Sequence, residues 1–307
     1  MCVWRRVGTM MRMFLSFLFL SLLFGMPAGC RRCADSCDMQ NTIVDGWERF
    51  RMGKFDEAVV VFEAVRAGGA EGNVEFVDAT YGLANVWNLR MPMTSQDKKL
   101  AEALYQEVID SNPDHNLASW SSLALARMKH LVPVGRKPDY DAVRKAYKSV
   151  WILHPDTQAG EEAFVHLQAT YILTMDIGKV QEAANDLEKF IENHPQSGLR
   201  YAAWSLLAEA YIIMGKSEEL LIAEVETLNA QETDSSNPFA ENSWRYWKIA
   251  VTAEFEAGDF AIARKYYQML IDEYPQDIRC YACEAALQRM DALENKIKAE
   301  IMGDEVK

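Results

Sequence analysis

One spacing recurs four times along this chain of 307 residues: a small or branched residue, a large residue four positions later, and a proline eight positions after that. The four sets are Ala101, Tyr105 and Pro113; Val143, Tyr147 and Pro155; Ala183, Leu187 and Pro195; and Ala263, Tyr267 and Pro275. Neighbouring prolines of this series are about 40 residues apart, with Pro238 inside the one double interval. Self-similarity at such a period predicts a solenoid of stacked units.

The spacing has a direct physical interpretation. Residues four positions apart lie on one face of an α-helix, so each small residue marks a close crossing of two helices and the large residue fills the groove beside it. Proline ends a helix because it lacks an amide donor and disfavours helical geometry in the residue before it. We expect second helices to end at the residues before the prolines, which are Asn112, His154, His194 and Tyr274.

Glycines mark the turns inside the pairs, because glycine adopts the left-handed conformation that closes a helix. These turn glycines are Gly53, Gly178, Gly215 and Gly258. The first helices have a second pattern, W-x2-L-A-x2-Y. It is complete at Trp204, Leu207, Ala208 and Tyr211, and partial at Trp120, Leu123 and Ala124 and at Leu83, Ala84 and Trp87.

Together these patterns resemble the tetratricopeptide repeat (TPR) family, in which W-x2-L-G-x2-Y precedes A-x3-F and proline. The resemblance implies an all-α fold, an α-solenoid of about six helix-turn-helix repeats over residues 41–301 with a C-terminal capping helix, and a tail at 302–307. We place the units at 41–70, 76–113, 116–155, 160–195, 201–236 and 243–275, and the capping helix at 277–301. Units two and three depart from the pattern by insertions around 92–97 and 133–138.

The N-terminus has the form of an export signal. Arg5, Arg6 and Arg12 precede an almost wholly apolar stretch at 13–26, which is short for a permanent membrane span. The sequence Ala28-Gly29-Cys30 then resembles the bacterial lipobox, although Pro27 stands where an aliphatic residue is usual. We expect a signal peptide at 1–29 and a lipidated tether at 30–40, with Cys30 as the acylated residue. Ordinary cleavage with a plain thiol at Cys30, and a retained anchor, remain alternatives.

A lipidated cysteine followed by TPR-like repeats resembles the bacterial envelope lipoproteins of the BamD type, which assemble outer-membrane barrels, and the repeat protein of the Tol–Pal system. The stretch at 190–197 is common among such proteins. The resemblance implies an exported scaffold in the cell envelope with protein partners. Arg31, rather than aspartate, follows Cys30, which favours the periplasmic face of the outer membrane.

The net charge and the absence of known catalytic motifs argue against nucleic acid binding and against enzymatic activity. The formal net charge of −13 repels nucleic acid phosphates and anionic lipid headgroups, so no nucleic acid partner is expected. The sequence contains no HExxH, GxSxG or paired-carboxylate motif. We expect no enzymatic activity, catalytic residue, metal, cofactor or small-molecule substrate. Two alternatives remain: an envelope enzyme accessory with a hidden site, and a thiol or metal function at Cys280-x-x-Cys283.

The candidate partner-binding surface is the concave groove that the first helices of such an array line. Residues on these helices that lie off the core stripe are expected to face the groove. They are Tyr81, Asn85, Asn88, Ser121, Lys129, Gln168, Glu209, Arg245 and Lys248. Their mixture of amide, aromatic and charged groups is typical of a surface that captures a peptide or loop.

Overall fold

The computed structural model describes residues 42–231 and 242–304. Over these ranges the chain forms thirteen α-helices and one π-helical turn, with no strand. The expected signal peptide at 1–29 and the tether at 30–40, which includes Cys30, lie outside the described residues. Within the described ranges no helix combines the length and the apolar character that a membrane span needs.

Twelve of the helices form six consecutive pairs, each with a first helix, a turn and a second helix. The first helices are α1 (Ile43–Arg51), α3 (Val74–Leu89), α5 (Asn116–His130), α7 (Gln158–Ile172), α9 (Arg200–Met214) and α11 (Ser243–Thr252). The second helices are α2 (Phe55–Gly68), α4 (Ser95–Ser111), α6 (Tyr140–Leu153), α8 (Ile177–Asn193), α10 (Ser217–Asn229) and α12 (Phe260–Glu273). The π-helical turn Ala253–Ala257 prolongs α11, and α13 (Cys280–Asp304) follows the last pair.

The pairs stack in sequence order. Each helix packs mainly against its neighbours along the chain, as a solenoid requires. From α1 to α9, each first helix also contacts the first helix of the next pair, whereas the second helices in the described ranges share no comparable contacts. Because the more closely spaced elements lie on the inside of a curved array, the first helices form the inner layer. This arrangement confirms the predicted all-α solenoid of six pairs.

The small–large–proline spacing builds the packing as expected. In all four sets the small residue and the large residue are at most 1% exposed. Helices α4, α6, α8 and α12 each end one residue before the proline-preceding position, which then leaves helical geometry as the C-cap. The proline rule therefore predicts where the second helix ends in four of the six pairs.

Three of the four turn glycines adopt the expected conformation. Gly53, Gly215 and Gly258 have φ angles of 73°, 67° and 71°. The prediction for Gly178 is wrong, because Asp176 caps α8 and Gly178 already lies in the first turn of that helix. The left-handed residue of this turn is Met175, with φ 56°.

The packing is sparser at one junction. Helices α10 and α11 share fewer contacts than other neighbouring helices, and α9 reaches α11 through side chains, such as Arg245 on Tyr201, rather than by close helix packing. Beyond it, α13 covers the open end of the core, where Cys283, Ala286 and Met290 are buried against the sixth pair. This confirms the predicted capping helix, which continues to Asp304.

Candidate binding surface on the first helices

All nine residues predicted to line the groove lie on first helices, and the structure brings three of them together. Tyr81, Asn85 and Asn88 of α3 line a cleft of about 440 Å³ between the second and third pairs. We call it the inner cleft. Its other lining residues come from the ends of α3 and α5, from α4 and from the turn between α3 and α4: Leu89, Met93, Lys98, Tyr105, Trp120, Ala124, Arg127, Met128 and Leu131.

The polar floor of the inner cleft is held in place by hydrogen bonds. The hydroxyl of Tyr105 donates to Oδ1 of Asn85 at 3.2 Å and accepts from Nδ2 of Asn88 at 3.4 Å. Nδ2 of Asn85 donates to the carbonyl oxygen of Tyr81 at 2.8 Å. Burial raises the pKa of the Tyr105 hydroxyl, so this group stays protonated. The two amides are therefore fixed before any partner arrives.

Two basic side chains and several apolar ones complete the inner cleft. Lys98 donates from Nζ to the carbonyl oxygen of Met128 at 3.1 Å, which fixes the ammonium at one wall. Leu131 and Met93 are 75% and 44% exposed, and they provide apolar surface at the mouth. Sequence reasoning missed these residues and Arg127. The only signal for Arg127 is its spacing of seven residues from Trp120, which places both on one helix face.

Arg127 extends from the inner cleft to the fourth pair. It forms an ion pair with Glu162 of α7, whose carboxylate also lies 3.3 Å from Nε2 of His166. The ring of Tyr147 stacks on His166 with centroids 5.4 Å apart. Because Glu162 is already engaged by Arg127, burial and then the charge of Arg127 lower the pKa of His166 to about 4. His166 is therefore neutral near pH 7, and Arg127 supplies the positive charge here.

A second cleft of about 320 Å³ lies between the fifth and sixth pairs and includes Lys248. Nζ of Lys248 lies 3.0 Å from Oε1 of Glu224, whose side chain is 4% exposed. Partial burial raises the pKa of Glu209 on α9, and the nearby charge of Lys248 opposes this rise. Glu209 and Lys248 are thus neighbours across the junction. Arg245 instead donates to the hydroxyl of Tyr201 at 2.6 Å and lies apart from them.

The remaining predicted residues do not join either cleft. Ser121 and Gln168 are 0% and 2% exposed, so their side chains offer no accessible surface. Within the described ranges Oγ of Ser121 and Oε1 of Gln168 have no hydrogen-bond partner. Lys129 is exposed on α5 and does not line the inner cleft.

The CxxC pair has the properties of structural thiols. Cys283 is fully buried, and burial raises the pKa of its thiol to about 11, opposite to what a nucleophilic or metal-binding cysteine needs. Sγ of Cys280 donates to the carbonyl oxygen of Tyr274 at 3.2 Å. Among the described residues no three His, Cys, Asp or Glu side chains are arranged to hold a metal ion.

Residues 165–197 and 246–277 match the tetratricopeptide repeat family. The two segments lie within the fourth and sixth helix pairs and the residues that follow them, and they include the whole of α8 and of α12. No curated protein sequence matches the chain.

Three solved structures are similar to this chain at low identity. PilF of Pseudomonas aeruginosa is 14% identical, with 80% of this chain and 95% of that chain covered and a TM-score of 0.49. PilW, a widely conserved type IV pilus biogenesis factor, is 14% identical, with coverages of 83% and 100% and a TM-score of 0.48. Acl4, an assembly chaperone of RpL4, is 13% identical, with coverages of 83% and 98% and a TM-score of 0.40.

Proposed function

We propose that this protein is a lipid-anchored scaffold of the bacterial cell envelope that captures a segment of a partner protein in the inner cleft. The observation that carries the proposal is the combination of two fixed amides, two basic side chains and an apolar mouth in one accessible cleft. Asparagine side chains can pair with the backbone of an extended peptide, since each offers both donors and an acceptor. The matches to the tetratricopeptide repeat family in the fourth and sixth pairs support a binding role rather than a catalytic one.

The chemistry of the inner cleft selects among partner segments. The lining of the cleft contains Lys98 and Arg127 and no acidic residue, in a chain that is acidic overall. Because Arg127 is ion-paired with Glu162, Lys98 is the main positive charge that favours an acidic segment. Leu131 and Met93 favour an apolar side chain next to that acidic group. We therefore propose a partner that presents an apolar residue beside a carboxylate in an extended segment.

Replacing Leu131 with aspartate is expected to reduce partner recovery about tenfold, because placing a charge at this apolar contact in the mouth of the cleft is expected to cost about 1.4 kcal/mol. Asn88→Ala is also expected to lower partner recovery, because it removes a side-chain amide that can pair with the backbone of the partner segment. The measurement is a crosslinked pull-down from cell-envelope membranes, with partners quantified by mass spectrometry.

Leu153→Asp is the matched control. Leu153 is 68% exposed at the end of α6, so its replacement is as easily accommodated as that of Leu131, but it lies outside the inner cleft. Recovery that falls equally in both aspartate variants, or in neither, would refute capture by the inner cleft. Equal thermal melting of the variants excludes misfolding as the cause.

Anchoring at Cys30 is tested separately. Cells fed an alkyne fatty acid are expected to label the chain, and Cys30→Ala is expected to abolish the label, because acylation in a lipobox occurs at that thiol. Cys33→Ala, three residues away in the same tether, is expected to keep it. Label that persists in Cys30→Ala, or that disappears only in Cys33→Ala, rejects the proposed anchor and leaves partner binding untouched.

A further inference from the structure

Both insertions that interrupt the repeat pattern fall in turns between a first and a second helix. Such turns lie along one edge of a solenoid, because every pair has the same antiparallel arrangement. We call this the first-turn edge, defined by residues 90–94, 131–139 and 173–176 of the second, third and fourth pairs, apart from Met93 and Leu131, which belong to the inner cleft. Three protruding aliphatic side chains on it, Met91, Val134 and Met175, are 85%, 106% and 67% exposed. Neither repeat packing nor the inner cleft explains them.

The opposite edge differs in composition. Its turns in the same pairs, 112–115, 154–157 and 194–199, consist of polar residues, glycine and proline, apart from Leu199, which packs into the core. They contain Asp114 and Asp156 and no lysine or arginine. In these three pairs the protruding aliphatic side chains of the turns are therefore confined to one edge, whereas the last turn of the opposite edge, after the sixth pair, exposes Ile278.

The first-turn edge also concentrates positive charge. Its basic side chains, within the turns or one helical turn away, are Lys129, Arg136, Lys137 and Lys179, together with Arg90, which is ion-paired with Asp56 at 3.4 Å. Three of the four nearby acidic residues, Asp97, Asp139 and Asp176, accept hydrogen bonds from backbone amides at helix starts. The positive ends of the second helices partly offset their charge, although the negative ends of the first helices lie at the same turns. The edge is thus effectively basic, although the whole chain carries −13.

We propose that the first-turn edge lies against a lipid bilayer that contains anionic lipids. Aliphatic side chains on protruding turns can enter the headgroup region, and flanking basic side chains can pair with lipid phosphates. A protein partner is less suited to this edge, because side chains that are almost fully exposed line no pocket. A second copy is disfavoured, since a two-fold contact would oppose the basic residues of one edge to those of the other.

The acidic remainder of the protein does not prevent this contact. Charges more than about 10 Å from the bilayer are largely screened at physiological salt. The charges that act within this range are those of the first-turn edge itself, so its basic side chains determine which edge faces the membrane. This contact goes beyond partner capture, and it stands whether or not Cys30 is acylated.

The test uses the full chain on vesicles of phosphatidylethanolamine and phosphatidylglycerol that carry a photoactivatable lipid. The readout is the position of lipid adducts, found by mass spectrometry, because the stretch at 13–26 could itself attach the chain to vesicles. We expect adducts in the turns of the first-turn edge, fewer on phosphatidylcholine vesicles, and fewer at high salt. The variant Met91→Ser, Val134→Ser, Met175→Asn is expected to reduce these adducts several-fold.

The matched control is Val74→Ser, Leu153→Ser, Ile278→Ser. It removes three exposed aliphatic side chains from the opposite edge and is expected to leave the adducts unchanged. Equal adducts on both edges, or adducts confined to the vicinity of 13–26, overturn the proposal. So does crosslinking in native membranes that joins these turns to a protein or to a second copy and not to lipid. None of these results affects the test of the inner cleft.

Discussion

Gly160→Ala is expected to lower the free energy of unfolding by about 3 kcal/mol, near the upper end of what added volume costs in a packed site. A β-carbon at this position would lie 1.9 Å from the carbonyl oxygen of His154, which belongs to the backbone and cannot rotate away. That carbonyl is also fixed by bonds from Thr157, whose amide and hydroxyl donate to it at 3.2 and 2.9 Å. The third pair would have to shift relative to the fourth.

The matched control is Gly68→Ala at the end of α2. A β-carbon there meets no atom within 4 Å, so alanine is expected to be neutral or to stabilise by about 0.5–1 kcal/mol through its higher helix propensity. Chemical denaturation of both variants beside the parent measures the difference. If Gly160→Ala lowers the free energy of unfolding no more than Gly68→Ala does, the close approach at His154 is not required for folding.

The contact at Gly160 illustrates what the sequence can and cannot predict. The spacing before Pro155 predicts that α6 ends at His154, and in the structure it ends one residue earlier, at Leu153, with His154 as its C-cap. The spacing carries no information on where the following helix touches that end. Proximity between elements depends on the rotation from one pair to the next, which no local pattern encodes. The helices and their pairing were thus predictable, whereas the individual contacts between pairs were not.

The inner cleft also shows that contacts between helices cannot be predicted from local patterns. Periodicity placed Tyr81, Asn85 and Asn88 on the inner face of α3, where the structure has them in one cleft. The same criterion selected Ser121 and Gln168, which are buried. Helical periodicity determines the direction of a side chain but not the distance to the next helix. A residue such as Lys98, contributed by a second helix, lies outside that criterion altogether.

A buried acid is a further feature that no pattern in the sequence predicted. Glu254 lies in the π-helical turn after α11, and its side chain is only 5% exposed. Oε2 accepts from the hydroxyl of Tyr267 at 2.9 Å, and Oε1 accepts from Nε of Arg289 at 3.0 Å. The turn therefore joins the sixth pair to the capping helix through one carboxylate. The sequence has no signature for a π-helical turn of five residues, so this joint could not be predicted.

Arg289→Met is expected to destabilise the protein by about 3 kcal/mol, because it leaves the buried carboxylate of Glu254 without its cation. Methionine keeps much of the aliphatic packing of the arginine, so the loss of charge dominates. Adding Glu254→Gln is expected to restore most of the stability, since a neutral amide costs less to bury and can still accept from Tyr267. Urea denaturation of the two single variants and the double variant measures the coupling.

Arg264→Met is the control for Arg289→Met, because it removes ion pairs between the same two elements whose acidic partners are exposed rather than buried. Arg264 also links α12 to α13, but its partners Asp291 and Glu294 are 67% and 38% exposed. Such pairs contribute about 1 kcal/mol or less, so this variant is expected to be nearly as stable as the parent. Hydrogen exchange gives a local readout, in which Arg289→Met raises the exchange of residues 280–301 before that of the other helices. If Arg264→Met and Arg289→Met lose equal stability, or if Glu254→Gln fails to rescue Arg289→Met, the buried carboxylate does not fasten the capping helix.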